Sequence, residues 1–403
     1  MTNLFFVTEA RFVRVDKHTV YSIDGSFSNY LWARYLESFD EIIVFARVKN
    51  DPNYKGNKEY LASSVRVRFH DCPYYIGLFD FLKNYRKIQS LISRELVNRK
   101  FIYLFRVPGF ISNIFTKELW RQNIPYGLEV VGDPWEVFAP GTIKHPLRPL
   151  LRILNFYLLK LQVRRAAAVL YVTKSQLQKR YPTNRGVFTT HASNVMLNNE
   201  SYSLTPKIYK EKGEYIIISV GSLEQLYKAP DLVLKTIKSL NISGVNAKLI
   251  WLGDGKYFND LIELSVSLGI NDKVNFVGNV SKELVVNYLD ESDLFLMASR
   301  TEGIPRALIE AMARGLPCVG TNVGGIPELL NKENLVKVDD ISTLAKRITV
   351  LLKNENEYNI AAGRNWEFSK NFENSILQMR RKGFYDFLIG NAKFNAYTSF
   401  NKN

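Results

Sequence analysis

Short apolar runs alternate with amphipathic stretches along most of the chain. In the first half, residues 4–8 (LFFVT) and 41–46 (EIIVFA) read as buried strands, and residues 27–39 between them can wind as a helix. Residues 65–69, 101–105 and 126–131 are further short strands. Residues 78–99 carry Leu78, Phe81, Leu82, Tyr85, Ile88, Leu91 and Ile92 mostly three or four apart, which predicts a helix with one apolar face.

The second half alternates more cleanly. Strands are predicted at 215–220, 247–252, 273–277, 294–298 and 317–321. Helices fall between and after them at 231–240, 257–268, 282–291, 305–314 and 327–330. Such alternation predicts parallel sheets covered on both faces. The expected fold is α/β, with two doubly wound Rossmann-like domains. Residues 1–200 make the first domain, 201–213 (inside the polar stretch 194–213) the linker, and 214–371 the second domain. A terminal helix and tail at 372–403 have packing back on the first domain as one option, although their pattern assigns them to neither.

The length of 403 residues suits two domains, and 46% hydrophobic with 23% charged residues excludes a disordered chain. Only two cysteines occur, Cys72 and Cys318, with no CxxC; His70 beside Cys72 is half a zinc site at most. A disulfide scaffold is excluded and a reducing cytosol fits. The opening MTNLFFVTEARF has no basic region ahead of its broken apolar stretch, and no apolar run approaches the roughly 18–20 residues of a spanning helix. A cytoplasmic protein, soluble or bound to a surface, is expected.

The net charge of +15 points to an anionic partner, and its distribution is uneven. Residues 80–190 hold 19 basic against 6 acidic side chains, and residues 137–199 hold no acidic one. Within them, residues 144–165 (KHPLRPLLRILNFYLLKLQVRR) mix Lys144, Arg148, Arg152, Lys160 and Arg164 with Leu, Ile, Phe and Tyr. That mixture suits a helix lying on an anionic membrane at the inner face of the plasma membrane. A core helix with a solvated basic face has the same composition. Nucleic acid fits less well, because the stretch is rich in bulky aliphatics, and no nucleic-acid partner is expected.

Ligands of open α/β sheets bind beyond the carboxyl ends of the strands, and chemistry-bearing residues follow several of them. After 294–298 comes Ser299-Arg300-Thr301-Glu302-Gly303-Ile304-Pro305, with Pro305 expected in the first helical turn and Gly315 stopping the helix. A helix N-terminus preceded by glycine suits a phosphate or diphosphate. Glu302 falls in the loop and Glu310 inside the helix; taken alone, such an acidic pair reads equally as solvated surface. A second turn, Gly324-Gly325-Ile326-Pro327-Glu328, repeats the pattern. Gly221-Ser222 leaves the first strand of this half, with Lys228 just ahead of the next helix, and Gly253-Asp254-Gly255 follows the second strand as a tight turn.

These segments, VGSLEQLYKAPD, WLGDG, VNFVGNV and EGIPRALIEAMARGLPCVGTNVGGIPE, resemble the retaining GT-B glycosyltransferases of glycosyltransferase family 4. EVVGDPW and YVTKSQLQKRYP look like segments of members that build bacterial surface polysaccharides. The resemblance implies two Rossmann-like domains facing a central cleft, and a nucleotide-sugar donor held by the C-terminal one. Glu302 then faces the donor sugar and Glu310 takes the ribose hydroxyls. Backbone groups of Gly303, Ile304 and Arg306, beside Pro305, line the sugar and diphosphate, and Lys228 neutralises the diphosphate leaving group. Gly253 and Ser222 border the same site. Gly25, in the DGSFSN loop, matches the glycine by which the N-terminal domain approaches the phosphates.

Two departures stand out. Ser222 occupies a position where the family often has arginine, which places more of the leaving-group charge on Lys228, with Arg300 or Arg306 as helpers. Gly132-Asp133 stands where many members carry histidine, which makes Asp133 the acceptor-side candidate, with Glu129 on the same segment. No two aspartates are two residues apart, so the D-x-D signature of metal-using transferases is missing and neither metal nor other cofactor is expected. The implied function is transfer of a sugar to a lipid-linked or saccharide acceptor in surface-polysaccharide assembly. A sugar-nucleotide epimerase of the same architecture, needing no acceptor, and a catalytically silent nucleotide-sugar or lipid-binding partner remain as alternatives.

Overall fold

A computed structural model describes residues 2–96, 101–139 and 146–400. The chain divides into two compact units, one of Met1–Pro134, Ile153–Ala192 and Gln378–Asn403, the other of Trp135–Arg152 and Ser193–Leu377.

The first unit is built on eight strands: β1 (Asn3–Arg14), β2 (Val20–Ser22), β3 (Glu41–Asn50), β4 (Val67–Cys72), β5 (Phe101–Val107), β6 (Tyr126–Val130), β7 (Ala168–Tyr171) and β8 (Phe188–His191). Seven run parallel in the order β4-β3-β1-β5-β6-β7-β8, and β2 pairs antiparallel with β1. The strand at the N-terminus is longer than its apolar run suggests, because a register shift between Val7 and Arg11 lets it continue past Thr8 along β3. Alternation sorts the aromatic rings between the two faces. Phe5 meets Tyr103 and Phe115 at 5.5 Å on one side, while Phe6 meets Trp32 and Tyr35 at 5.2 and 5.1 Å on the other. Helices Gly77–Glu95, Phe110–Arg121 and Arg148–Arg165 contribute Phe81, Phe115 and Leu159 to the core on the Phe5 face. The terminal helix Asn374–Phe400 packs with the Phe6 face. Its Tyr385 ring lies tilted 5.5 Å from that of Tyr35, and a Cβ on Gly127 of β6 would lie 2.5 Å from its Leu388.

The second unit carries β9 (Tyr215–Val220), β10 (Ala247–Leu252), β11 (Val274–Gly278), β12 (Leu294–Met297), β13 (Cys318–Thr321) and β14 (Leu335–Val336) in the order β11-β10-β9-β12-β13-β14. All pairings are parallel. The chain runs outward from β9 through β10 to β11, then returns to lay β12 on the other side of β9. Carboxyl ends of β9 and β12 therefore flank the point where the strand order reverses, the place where such sheets bind ligands. Helices Ile341–Lys353 and Glu355–Ser369 complete the cover, with Leu344, Ile348 and Ala362 fully buried.

Candidate active site

Gly221 leaves β9 and Ser299 follows β12 at that reversal point. Between β9 and the next helix, Pro230–Ile242, the chain makes a short turn, Leu226–Lys228. The stem of Lys228 crosses Gly221 so closely that a Cβ there would meet its Cγ at 2.9 Å. Its ammonium reaches Glu302, Nζ to Oε1 2.6 Å, and the Ser299 hydroxyl donates to the same carboxylate oxygen at 2.6 Å. Ser299 is held in turn by Thr321, whose hydroxyl donates to its carbonyl at 2.5 Å. With only 13% and 7% of the two side chains exposed, the Lys228–Glu302 pair is largely removed from water.

Glycines bring the loops together. Gly324 has φ +51°, and a Cβ there would sit 1.9 Å from the carbonyl oxygen of Glu302. The next residue, Gly325, donates its N–H to Gly303 at 2.7 Å and lies under the Ile304 side chain. The second Gly-Gly turn is thus the floor of the loop that carries Glu302. Gly253, at φ +130°, presses against Gly221 in the same way, a Cβ falling 2.2 Å from its carbonyl. Ser222 is exposed, and its hydroxyl accepts the N–H of Glu224 at 3.2 Å, which closes the turn after β9.

Pro305 differs from expectation. It caps the helix from outside with extended backbone (φ −73°, ψ 115°), and the helix runs Arg306–Ala313. Arg306 and Glu310 lie one turn apart on it. Together with Lys282, Arg314, Met196 and Leu197 they line a cavity of about 140 Å³. Burial raises the Glu310 carboxyl above the usual range, against the pull of Arg306 and Lys282. A half-buried carboxylate that faces this cavity is placed to accept hydrogen bonds from the hydroxyls of a ligand.

The other expected residues stand on other elements. Gly25 is in the first unit, in a left-handed turn (φ +71°) whose open side is covered by the Tyr60 ring. Asp133 is buried and bound by the Arg180 guanidinium and by the Tyr181 hydroxyl at 2.7 Å, so it stands in an ion pair. Glu129 accepts from the hydroxyls of Tyr35 and Tyr385 and is also buried. Among the basic residues, Lys144 lies outside the described residues. Arg148 donates to the Phe138 carbonyl at 3.0 Å; Arg152 donates to that of Trp135 at 2.7 Å and stacks on its ring. Lys160 leans on Phe156, and Arg164 is exposed. His70 pairs with Glu95 at 2.8 Å, and among the described residues no three His, Cys, Asp or Glu side chains gather to hold a metal ion.

Sequence reasoning passed over Ser299 and Thr321, which fix Glu302, and over the partners of Arg300. This guanidinium is not a helper free for the leaving group. It forks onto both carboxylate oxygens of Asp231, at 2.9 and 2.8 Å, and reaches Asp339 at 3.0 Å.

The pattern described as "Glycosyl transferases group 1" matches residues 203–366. Protein CapJ of Staphylococcus aureus is 30% identical over 375 residues, 91% of this chain and 90% of CapJ. The chain belongs to the group 1 glycosyl transferases. The putative colanic acid biosynthesis glycosyltransferase WcaL of Escherichia coli K12 is 36% identical over 141 residues, 33% of this chain and 34% of WcaL. In fold, the transferase superposes on Anabaena HepE, solved with UDP-glucose, at a TM-score of 0.60 and 12% identity, over 99% of this chain and all of that one. Its two parallel-sheet units are those of the GT-B glycosyltransferases. No helix among the described residues is long and apolar enough to cross a membrane.

Proposed function

We propose that this group 1 glycosyl transferase moves a sugar from a nucleoside-diphosphate sugar to a lipid-linked or saccharide acceptor in bacterial surface-polysaccharide assembly. The observation that carries the reading is the Lys228–Glu302 pair at the strand-order reversal of the second unit, with a cavity lined by Arg306 and Glu310 on the helix that follows. A donor diphosphate takes the Lys228 ammonium as its counter-charge. As the bond from the sugar's anomeric carbon to the diphosphate breaks, negative charge grows on the departing phosphate, and a cation that has already exchanged Glu302 for the bound diphosphate in a dry site stabilises it. Backbone of the Gly303–Ile304 loop lies against the sugar and diphosphate. Glu302, released from Lys228, turns its carboxylate to the sugar hydroxyls, while Glu310 accepts from the ribose.

On this account the chain's own cations serve the leaving group, and transfer proceeds without a metal and with retention, as in family 4. The donor class is supported by HepE having been solved with UDP-glucose. The polysaccharide setting is supported by the colanic acid transferase WcaL and by the motifs of the first half.

The enzyme works at the inner face of the plasma membrane, and helix Arg148–Arg165 supports this in a way composition hides. One face buries Leu151, Asn155, Leu159, Gln162 and Val163. The opposite one leaves Leu150, Ile153, Leu154, Tyr157 and Leu161 between 39% and 62% exposed, at helical spacing. An apolar stripe in water beside Arg164 and Arg165 matches the acyl–headgroup boundary of an anionic bilayer, and nucleic acid has no use for it. The membrane contact is therefore apolar first, since Arg148 and Arg152 are occupied by carbonyls.

A thermal-shift panel of UDP-glucose, UDP-N-acetylglucosamine, GDP-mannose and ADP-glucose tests the donor reading. At least one raises the melting temperature of the wild type, and raises that of Glu310→Ala less; a panel without any shift overturns it.

A further inference from the structure

Lys228 must be held in place by something other than Glu302, because on the proposed reading it leaves Glu302 for the diphosphate. The turn that carries it is short and its backbone is unusual. Ala229, the next residue, is fully buried in the left-handed conformation (φ 51°, ψ 49°), which disfavours a side chain and persists only where surroundings enforce it. One residue surrounds this turn. The Arg300 N–H donates to the Tyr227 carbonyl at 2.7 Å, and its guanidinium donates to the Leu226 carbonyl at 3.2 Å. The same guanidinium forks onto Asp231, in the first turn of the following helix, at 2.9 and 2.8 Å, and onto Asp339 through Nε at 3.1 Å. Residues 226, 227 and 231 are thereby tied to position 300 from both sides of Lys228. Position 300 itself lies between Ser299, which binds the Glu302 carboxylate, and Glu302.

We propose that Arg300 is a positioning residue for Lys228, a clamp that fixes the 226–231 turn so that the ammonium stays over Gly221 and meets the diphosphate without searching for it. This rests on the reading of Lys228 as the leaving-group cation. Arg300 itself carries no leaving-group charge, because two carboxylates neutralise it. Lysine cannot replace it: a single ammonium lacks the planar fork that binds Asp231 twice while reaching a carbonyl. Asp231 stays ionised against this fork, its carboxyl held below the usual range by Arg300 despite burial.

The test is a double-mutant cycle on kcat for nucleoside diphosphate release, with the sugar nucleotide that gives the largest shift in the panel above. Arg300→Ala is expected to lower kcat about tenfold or more in the wild type and to leave it unchanged in a Lys228→Met background, since the clamp then holds nothing that reacts. The melting temperature should fall equally in both backgrounds, which separates packing from positioning. Arg300→Lys should recover most of the melting temperature and little of kcat. An equal loss of kcat in both backgrounds overturns the clamp and leaves the Lys228 reading intact. A Lys228→Met variant with wild-type kcat overturns that reading, and the clamp with it.

Discussion

Replacing Lys228 by methionine keeps the stem that packs over Gly221 and removes the charge. Two consequences follow, and they can be told apart. The first is structural. Glu302, 7% exposed, is left with the Ser299 hydroxyl but no cation. Breaking a buried pair from one side costs about 3–5 kcal/mol, because the surviving charge stays desolvated. The second is catalytic. Losing one preorganised charge-stabilising group typically lowers turnover about 10²–10³-fold, or ~2.7–4 kcal/mol of barrier. Urea unfolding measures the first, and initial rates of nucleoside diphosphate release at saturating donor measure the second. Adding Glu302→Gln to Lys228→Met removes the stranded carboxylate, so stability should return by most of the lost amount while turnover stays down. If the single variant turns over within threefold of wild type, the leaving-group role is refuted. If the double variant regains turnover together with stability, Lys228 does no more than neutralise Glu302.

Further outcomes are expected at three other places. Glu310→Ala weakens nucleotide binding by roughly 1.5–3 kcal/mol in calorimetry, the worth of a hydrogen bond to a charged group; because its folded pKa is raised, wild-type affinity also drops as pH falls through that value, and Glu310→Gln flattens the dependence. In the absence of nucleotide the sign reverses: ionised Glu310 costs stability above its raised pKa, so Glu310→Gln melts higher at pH 7, and the gain vanishes below the unfolded value of 4.5. Gly324→Ala, which drives a Cβ into the Glu302 carbonyl, lowers stability by about 1–3 kcal/mol and displaces the loop, read as a loss of both urea midpoint and kcat. Leu154→Glu with Tyr157→Glu abolishes co-sedimentation with anionic liposomes while nucleotide affinity is unchanged, whereas Arg148→Gln with Arg152→Gln, which acts on internal carbonyls, weakens it much less.

The second half of the chain was legible because its strands are short, apolar and closed by glycine. Tyr215–Val220, Ala247–Leu252 and Lys282–Glu291 end where the pattern ends. The first half hid more. Helix Phe110–Arg121 turns Ser112 and Thr116 into the core, where Gln162 donates to Thr116 at 3.0 Å, and buried polar side chains erase the apolar period. Strand Ala168–Tyr171 follows helix Arg148–Arg165 with no glycine or proline to mark the break, and Phe188–His191 (FTTH) carries a single large apolar residue. At the site, Glu302, Glu310 and Lys228 stood out through the motifs that resemble family 4, since each taken alone reads as a surface charge. Their partners did not, since Lys228 meets Glu302 across 74 residues and Arg300 meets Asp231 across 69. Only the parallel pairing of β9 with β12 brings those positions together. Arg152 shows the converse: a basic residue read as facing lipid is bonded inward, because composition does not tell which side of a helix a residue occupies.

The most direct test of the account is transfer itself. The purified enzyme is incubated with the sugar nucleotide selected by thermal shift and with anionic vesicles carrying a polyprenyl-linked saccharide, and the lipid fraction is analysed by mass spectrometry. The account predicts an acceptor heavier by one glycosyl unit, matched mole for mole by nucleoside diphosphate, in EDTA as in its absence, and lost in Lys228→Met. Epimerised sugar nucleotide with no acceptor product, or no turnover of any sugar nucleotide that binds, would contradict it.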